Sequence, residues 1–160
     1  QFGQPSACVR PRRVLSTNPA IGPQSIPSRP CVAPGADQSN PDRLAFSPDG
    51  KNLAACGVSE KVVLWNLRDY TQTQLLKKEL APFWAVKFSK DGRYLFSTGT
   101  TGVGKIECRI WVTDVVSKKE VCESPLLHTR IFALDVANDG QHCASASSDG
   151  IRIWRLPTKS

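Results

Sequence analysis

Three stretches decide the fold: Leu44-Ala-Phe-Ser-Pro-Asp-Gly50, Val86-Lys-Phe-Ser-Lys-Asp-Gly92 and Leu134-Asp-Val-Ala-Asn-Asp-Gly140. In each, apolar side chains two residues apart fall on one face of a strand, as Leu44 and Phe46 or Val86 and Phe88 do. Each then ends in Asp-Gly, where glycine takes positive φ without steric cost and lets the chain reverse. Working outward, every stretch is followed by a run of small residues: Leu53-Ala-Ala-Cys-Gly57, Leu95-Phe-Ser-Thr-Gly99 and Cys143-Ala-Ser-Ala-Ser147. Small side chains there let neighbouring sheets approach closely. A third run closes each unit on tryptophan: Val62-Val-Leu-Trp65, Arg109-Ile-Trp111 and Ile151-Arg-Ile-Trp154. Trp65, Trp111 and Trp154 are 46 and 43 residues apart, near the period of about 40–45 that marks propeller blades. Their bulk is expected to anchor the third strand of each unit, and fourth strands are expected at Thr73–Leu76 and Glu120–Cys122.

The chain therefore resembles the WD40 (β-transducin) repeat family over about residues 41–156, with repeats at about 41–78, 82–123 and 128–156. The resemblance rests on Phe-Ser-Pro-Asp-Gly at residues 46–50, on Leu64-Trp65-Asn66, and on the threefold recurrence. Some family marks have changed. Ala81-Pro82 and Leu127-His128 stand where Gly-His is usual, and Asn66, Val112 and Arg155 follow the three tryptophans. The fold class expected is all-β: WD40-type β-propeller blades in a partial, open propeller of about three. Propellers close with about 4–8 blades, so the chain is expected to be a fragment of a longer propeller, with sheet faces open to water.

Composition changes near residue 41. Eight of the 12 prolines fall in the first 41 residues, among Ser, Gln, Gly and Ala. Such a segment buries too little apolar surface to offset its ordering entropy, so residues 1–40 are expected to form a disordered, proline-rich leader. A brief strand at Arg13-Val14-Leu15-Ser16 is the one exception considered. The net charge of +7 divides into +3 in the leader and +4 over the remaining residues, whose lysines and arginines are dispersed. A nucleic-acid footprint needs clustering on one face, which this spread argues against. No run approaches the roughly 18 apolar residues of a membrane span. The six cysteines form no Cys-x-x-Cys pair, so zinc and thioredoxin-type sites are not indicated, and an intracellular, cytoplasmic setting is expected.

Three constellations could carry chemistry. Gly99-Thr-Thr-Gly-Val-Gly104-Lys105 fits the phosphate-cradling pattern G-x-x-x-x-G-K. Ile106 replaces the magnesium-binding hydroxyl, and a strand follows where a helix N-terminus is needed. A hairpin insertion explains the stretch better than nucleotide binding does. His128, Ser145, Asp149 and Trp154 invite comparison with a hydrolytic triad. The family resemblance implies instead a structural tetrad, in which His128 bridges Ser145 and the Trp154 indole while Asp149 fixes the imidazole. The two histidines do not pair, and the carboxylates are scattered, so no metal, cofactor or catalytic residue is expected. Finally, aligning the repeats on Phe46, Phe88 and Val136 brings Asp42, Trp84 and Phe132 into register at the rim where the innermost strands begin. Trp84 and Phe132, with Pro82 and Arg130, are candidates for binding a partner; packing between blades is the competing explanation.

The resemblance implies a non-catalytic scaffold or adaptor that binds a protein or peptide, with no small-molecule substrate. A regulatory propeller of a larger enzyme, and a nucleic-acid or chromatin-associated propeller, are the alternatives. Limited proteolysis is expected to remove the leader first and leave a core starting near Asn40; slow amide exchange throughout residues 5–30 is the contrary result.

Overall fold

A computed structural model describes residues 41–79, 82–101 and 106–156. The leader at 1–40 and the greater part of the G-x-x-x-x-G-K stretch, 102–105, lie outside those residues. The architecture below is that of the unit from Asp37 onward.

The described chain is all β. The first sheet holds β1 (Pro41–Phe46), β2 (Asn52–Gly57), β3 (Lys61–Asn66) and β4 (Gln72–Lys77) in that order. The second repeats the arrangement with β5 (Phe83–Phe88), β6 (Tyr94–Thr100), β7 (Cys108–Asp114) and β8 (Lys119–Glu123). The third comprises β9 (Ile131–Val136), β10 (His142–Ser147) and β11 (Gly150–Arg155), and among the described residues β11 is its edge. All pairings are antiparallel meanders. The register places Leu44 opposite Ala55, Val86 opposite Ser97 and Leu134 opposite Ser145, so the first two strands of the units correspond; in the third strand Trp65 and Trp154 stand opposite Leu53 and Cys143, whereas Trp111 stands opposite Ser97, two residues out of step. The innermost strands β1, β5 and β9 are neighbours across the sheets.

The first connection in each sheet is one device used three times. The amide of Gly50 donates to the Ser47 carbonyl, that of Gly92 to Ser89 and that of Gly140 to Ala137, with glycine φ of 67°, 71° and 66°. A side chain would be strained at such φ, which is why glycine stands at all three positions. One carboxylate oxygen of the preceding aspartate accepts an amide two residues on, from Lys51, Arg93 and Gln141. In the first two turns a buried serine completes the loop. Ser89 Oγ donates to Asp91 Oδ1 at 2.6 Å and accepts the Tyr94 amide at 2.9 Å, and Ser47 does the same with Asp49 and Asn52. Alanine replaces serine in the third turn, and there His142 Nδ1 lies 2.6 Å from Asp139 Oδ2. That bond, with the amides of Gln141 and His142, holds the Asp139 carboxyl down at about 2.

Each sheet has two apolar faces. The face bearing the third-strand tryptophan is the leading face; the opposite one is the trailing face. The trailing face of the first sheet (Ala54, Cys56, Val62, Leu64) packs on the leading face of the second (Val86, Phe88, Leu95, Trp111), with Leu75 and Leu76 of β4 completing the cluster. The trailing face of the second (Phe96, Cys108, Ile110, Val112) packs on the leading face of the third (Leu134, Cys143, with Val136 and Trp154). Bulky and small residues share each cluster: Phe88 and Trp111 with Ala54 and Cys56 in the first, Phe96 with Cys143 and Val136 in the second. Lys78 reaches across the first seam, 2.8 Å from Glu120 and 5.7 Å from the Trp111 ring centre.

The turn device is testable because Ser89 is fully buried. Ser89→Ala strips Asp91 and the Tyr94 amide of a partner at once, and losing a buried hydrogen-bond partner costs about 1–3 kcal/mol. Urea denaturation should show a lowered midpoint at unchanged slope; an unchanged midpoint would count against the device.

Candidate functional site

The three inner strands carry the same irregularity at their starts. In β1 the ladder passes from Pro41 to Arg43, in β5 from Phe83 to Ala85, and in β9 from Ala133 to Ile131. The residues skipped are Asp42, Trp84 and Phe132, the positions that fall in register in the sequence. A bulge gives its extra residue no cross-strand partner and re-aims its side chain. Phe83, one residue earlier, turns inward, fully buried, with its ring edge-on to Trp111 at 5.3 Å. Trp84 is thereby directed to the rim.

At that rim the structure brings Trp84 and Arg130 together, and the candidates differ in exposure. Phe132 is 61% exposed. Trp84 is half-buried, and the Arg130 guanidinium sits 5.7 Å from the centre of its ring, a cation–π arrangement. The Trp84 indole nitrogen is buried and has no hydrogen-bond partner. Packing between blades accounts for part of the Trp84 surface, and it does not account for Phe132. Pro82 engages β6 through its backbone. Its carbonyl accepts the Thr100 amide at 3.1 Å, and the chain passes so close to Gly99 that a Cβ there would lie 2.5 Å from the Pro82 oxygen. Glycine is required at position 99 for this approach, within strand β6.

The tetrad expected from the family resemblance does not assemble, and this is a correction. Two members meet: the Trp154 indole N–H donates to Ser145 Oγ at 2.9 Å, and Ser145 is buried. His128 does not join them. Its side chain is 77% exposed, and its nearest charged neighbour is Glu107, at 3.8 Å. The cause is a one-residue phase difference. Leu127 exchanges both backbone hydrogen bonds with Cys108 and points into the second seam, which turns the next residue outward. Thr129, buried, turns in again and its hydroxyl lies 2.7 Å from that of Ser148. Asp149 is also engaged elsewhere. Arg152 and then Ser147 hydrogen-bond its carboxylate and hold its carboxyl far below the usual range.

The three tryptophans differ as well. Trp111 is almost wholly buried, its N–H donating to Glu123 Oε2 at 3.1 Å, and Arg109 pairs with the same carboxylate at 2.7 Å. Trp154 and Trp65 are half-buried, and among the described residues no other sheet packs on the Trp65 face of the first sheet. The hydroxyl pair Thr129–Ser148, the Glu123 acceptor and the Arg152–Asp149 pair were missed in sequence, since each joins residues that no single repeat motif contains. The recurrent Ser-x-Asp-Gly at residues 47–50 and 89–92 would have pointed to the turn serines.

Among the described residues no three His, Cys, Asp or Glu side chains gather as a metal site. Cys56, Cys108, Cys122 and Cys143 are free thiols, and burial pushes Cys56 up to about 12 and Cys143 to about 11.

Antiparallel sheets stacked face on face, each closing its third strand on tryptophan, define a β-propeller-type repeat protein. The family model for the WD domain, G-beta repeat, matches residues 37–66 and 122–155, and the chain carries WD40 repeats. The second sheet lies mostly between the two matches, and its strand order is that of the first. Comparison with curated proteins gives no match.

Ser145 and His128 can be tested as a pair. Ser145→Ala removes the acceptor of the Trp154 N–H and should destabilise the domain by about 1–3 kcal/mol. His128→Ala, at an exposed position, should leave the melting curve within about 0.5 kcal/mol of the parent. The reverse order of effects would restore the tetrad.

Proposed function

We propose that the chain is a non-catalytic binding platform of the scaffold or adaptor kind, engaging a protein or peptide at the rim built from Trp84, Arg130 and Phe132. WD40 repeats generally mediate protein–protein interaction, and that is the background for the proposal. The observation that carries it is the repeated bulge, which takes Trp84 and Phe132 out of the ladder at equivalent places on neighbouring inner strands. Ordinary packing needs no such irregularity at three corresponding positions.

The chemistry of the rim suits a peptide carrying an apolar side chain and an acceptor. Phe132 offers an open ring face. Arg130, already held against the Trp84 ring, offers a fork of donors at reduced ordering cost. Interface energy concentrates in such aromatic and arginine side chains. The non-catalytic part of the proposal is supported by Ser145, buried and bonded to Trp154, and by thiols whose raised pKa values keep them protonated. A nucleophile needs the opposite conditions.

The test is selection of peptides from a random library on the full chain, followed by variants. Phe132→Ala and Arg130→Ala should each weaken the selected peptides about tenfold or more, a loss near 1.4 kcal/mol, with melting unchanged. Trp84→Ala should abolish binding and lower stability somewhat, as befits a half-buried ring. Selected peptides that bind all three variants as tightly as the parent would place the interaction elsewhere.

A further inference from the structure

The segment that enters β9 carries a row of outward side chains. From Leu127 to Phe132 buried and exposed residues alternate: Leu127, Thr129 and Ile131 turn in, while His128, Arg130 and Phe132 face water. Contacts on the inner side fix that phase. Leu127 exchanges backbone hydrogen bonds with Cys108, the Thr129 hydroxyl lies 2.7 Å from that of Ser148, and Ile131 is packed in the second seam. The two polar members of the outward row differ in what they meet. His128 Nδ1 lies 3.8 Å from the Glu107 carboxylate. Arg130 has no carboxylate within ion-pair distance among the described residues, and its guanidinium sits over the Trp84 ring. Arg93, Arg109 and Arg152, by contrast, each rest on a carboxylate, those of Asp114, Glu123 and Asp149. A guanidinium over a ring face still has its in-plane N–H donors to offer.

We infer that the partner of this rim is an acidic peptide segment, with Asp or Glu two residues from a bulky apolar side chain. Its carboxylate sits on Arg130 and its apolar group on Phe132; the inference rests on the rim being the binding site, as proposed above. The charge follows from Arg130, whose planar fork matches a carboxylate through two parallel hydrogen bonds. Its seat on Trp84 lowers the cost of ordering it when the peptide arrives. The spacing follows from the row. Arg130 and Phe132 are separated by one residue that turns in, and an extended chain rises about 3.3 Å per residue with alternate side chains on one face. A peptide lying along the row therefore presents matching groups with one residue between them. A phosphorylated side chain fits less well, because its near-double charge calls for more than one cation. The Thr129–Ser148 contact sets the β10–β11 turn beside the row, yet Arg152 of that hairpin is bound by both oxygens of Asp149, and His128 lies against Glu107. One uncommitted guanidinium suits one carboxylate.

The experiment measures, by fluorescence anisotropy on the full chain, the affinity of the library-selected peptides and of altered copies of them. The selected peptides should carry Asp or Glu two residues from Leu, Ile, Phe or Trp. Exchanging that acid for its amide should weaken binding about tenfold, and this step needs no protein variant. On Arg130→Gln the same exchange should change affinity less than about twofold, because both changes remove one interaction. Arg130 is exposed, so circular dichroism should show the variant folded. Added salt should weaken the parent complex more than the Arg130→Gln complex. Three results overturn the inference and leave the rim site standing. They are peptides that need Trp84 and Phe132 but carry no carboxylate, additive effects of the amide exchange and Arg130→Gln, and tighter binding when phosphoserine replaces the acid. Peptides indifferent to Trp84→Ala and Phe132→Ala, or a library that yields no binder, overturn the rim reading and this inference together.

Discussion

Both faces of each sheet in this chain are apolar, and a twisted four-stranded sheet cannot cover its own faces. Everything else follows from how the seams between sheets are filled. At the first seam a phenylalanine and a tryptophan meet alanine and cysteine; at the second, Phe96 lies with cysteine and valine. Packing density is preserved by exchanging bulk across the contact, not by repeating the same residues. The small-residue run of β2 therefore keeps the trailing face of the first sheet flat where bulk arrives. In β6 the run is less strict, because Phe96 supplies bulk to a neighbour that is itself slim.

The polar groups are arranged around these seams so that none of the turn chemistry intrudes on them. Aspartate carboxylates at 49, 91 and 139 are satisfied by amides and a hydroxyl or imidazole within their own turns. Each turn can then reverse the chain between strands without help from the rest of the protein. The bulges at the opposite ends of β1, β5 and β9 answer a different need. They lift one residue out of each inner strand, and the identity of that residue (aspartate, tryptophan, phenylalanine) is free to vary because it makes no pair in the ladder. A surface whose positions are fixed by the repeat and whose side chains are not is well suited to recognition.

The tetrad shows how a motif can be partly present. Ser145 and Trp154 face one another because they are a non-adjacent diagonal on neighbouring strands with a common face, a relation that sequence spacing fixes. His128 belongs to the connection before β9, whose phase is set by where Leu127 bonds to Cys108. One residue of displacement carried the imidazole to the outside and brought a threonine in. The rim candidates fared differently for the same reason. Trp84 and Phe132 belong to strands whose register is dictated by a buried face, so their alignment in sequence corresponds to their place in the ladder; Pro82 lies in the connection before β5, where its carbonyl accepts the Thr100 amide.

The sequence by itself determined the all-β class, the strand–turn–strand rhythm and the equivalence of Phe46, Phe88 and Val136, because alternation, Asp-Gly turns and tryptophan period are local and repeated. It also marked the inner-strand starts as special. The tertiary structure alone decided which aromatic of Phe83-Trp84 turns inward, that His128 faces water, that Thr129 and Ser148 meet, and which apolar faces remain open. Those outcomes depend on bulges and on the phase of connecting segments, where a shift of one residue reverses the direction of a side chain at little local cost. Only the burial of a neighbouring sheet settles which phase is kept.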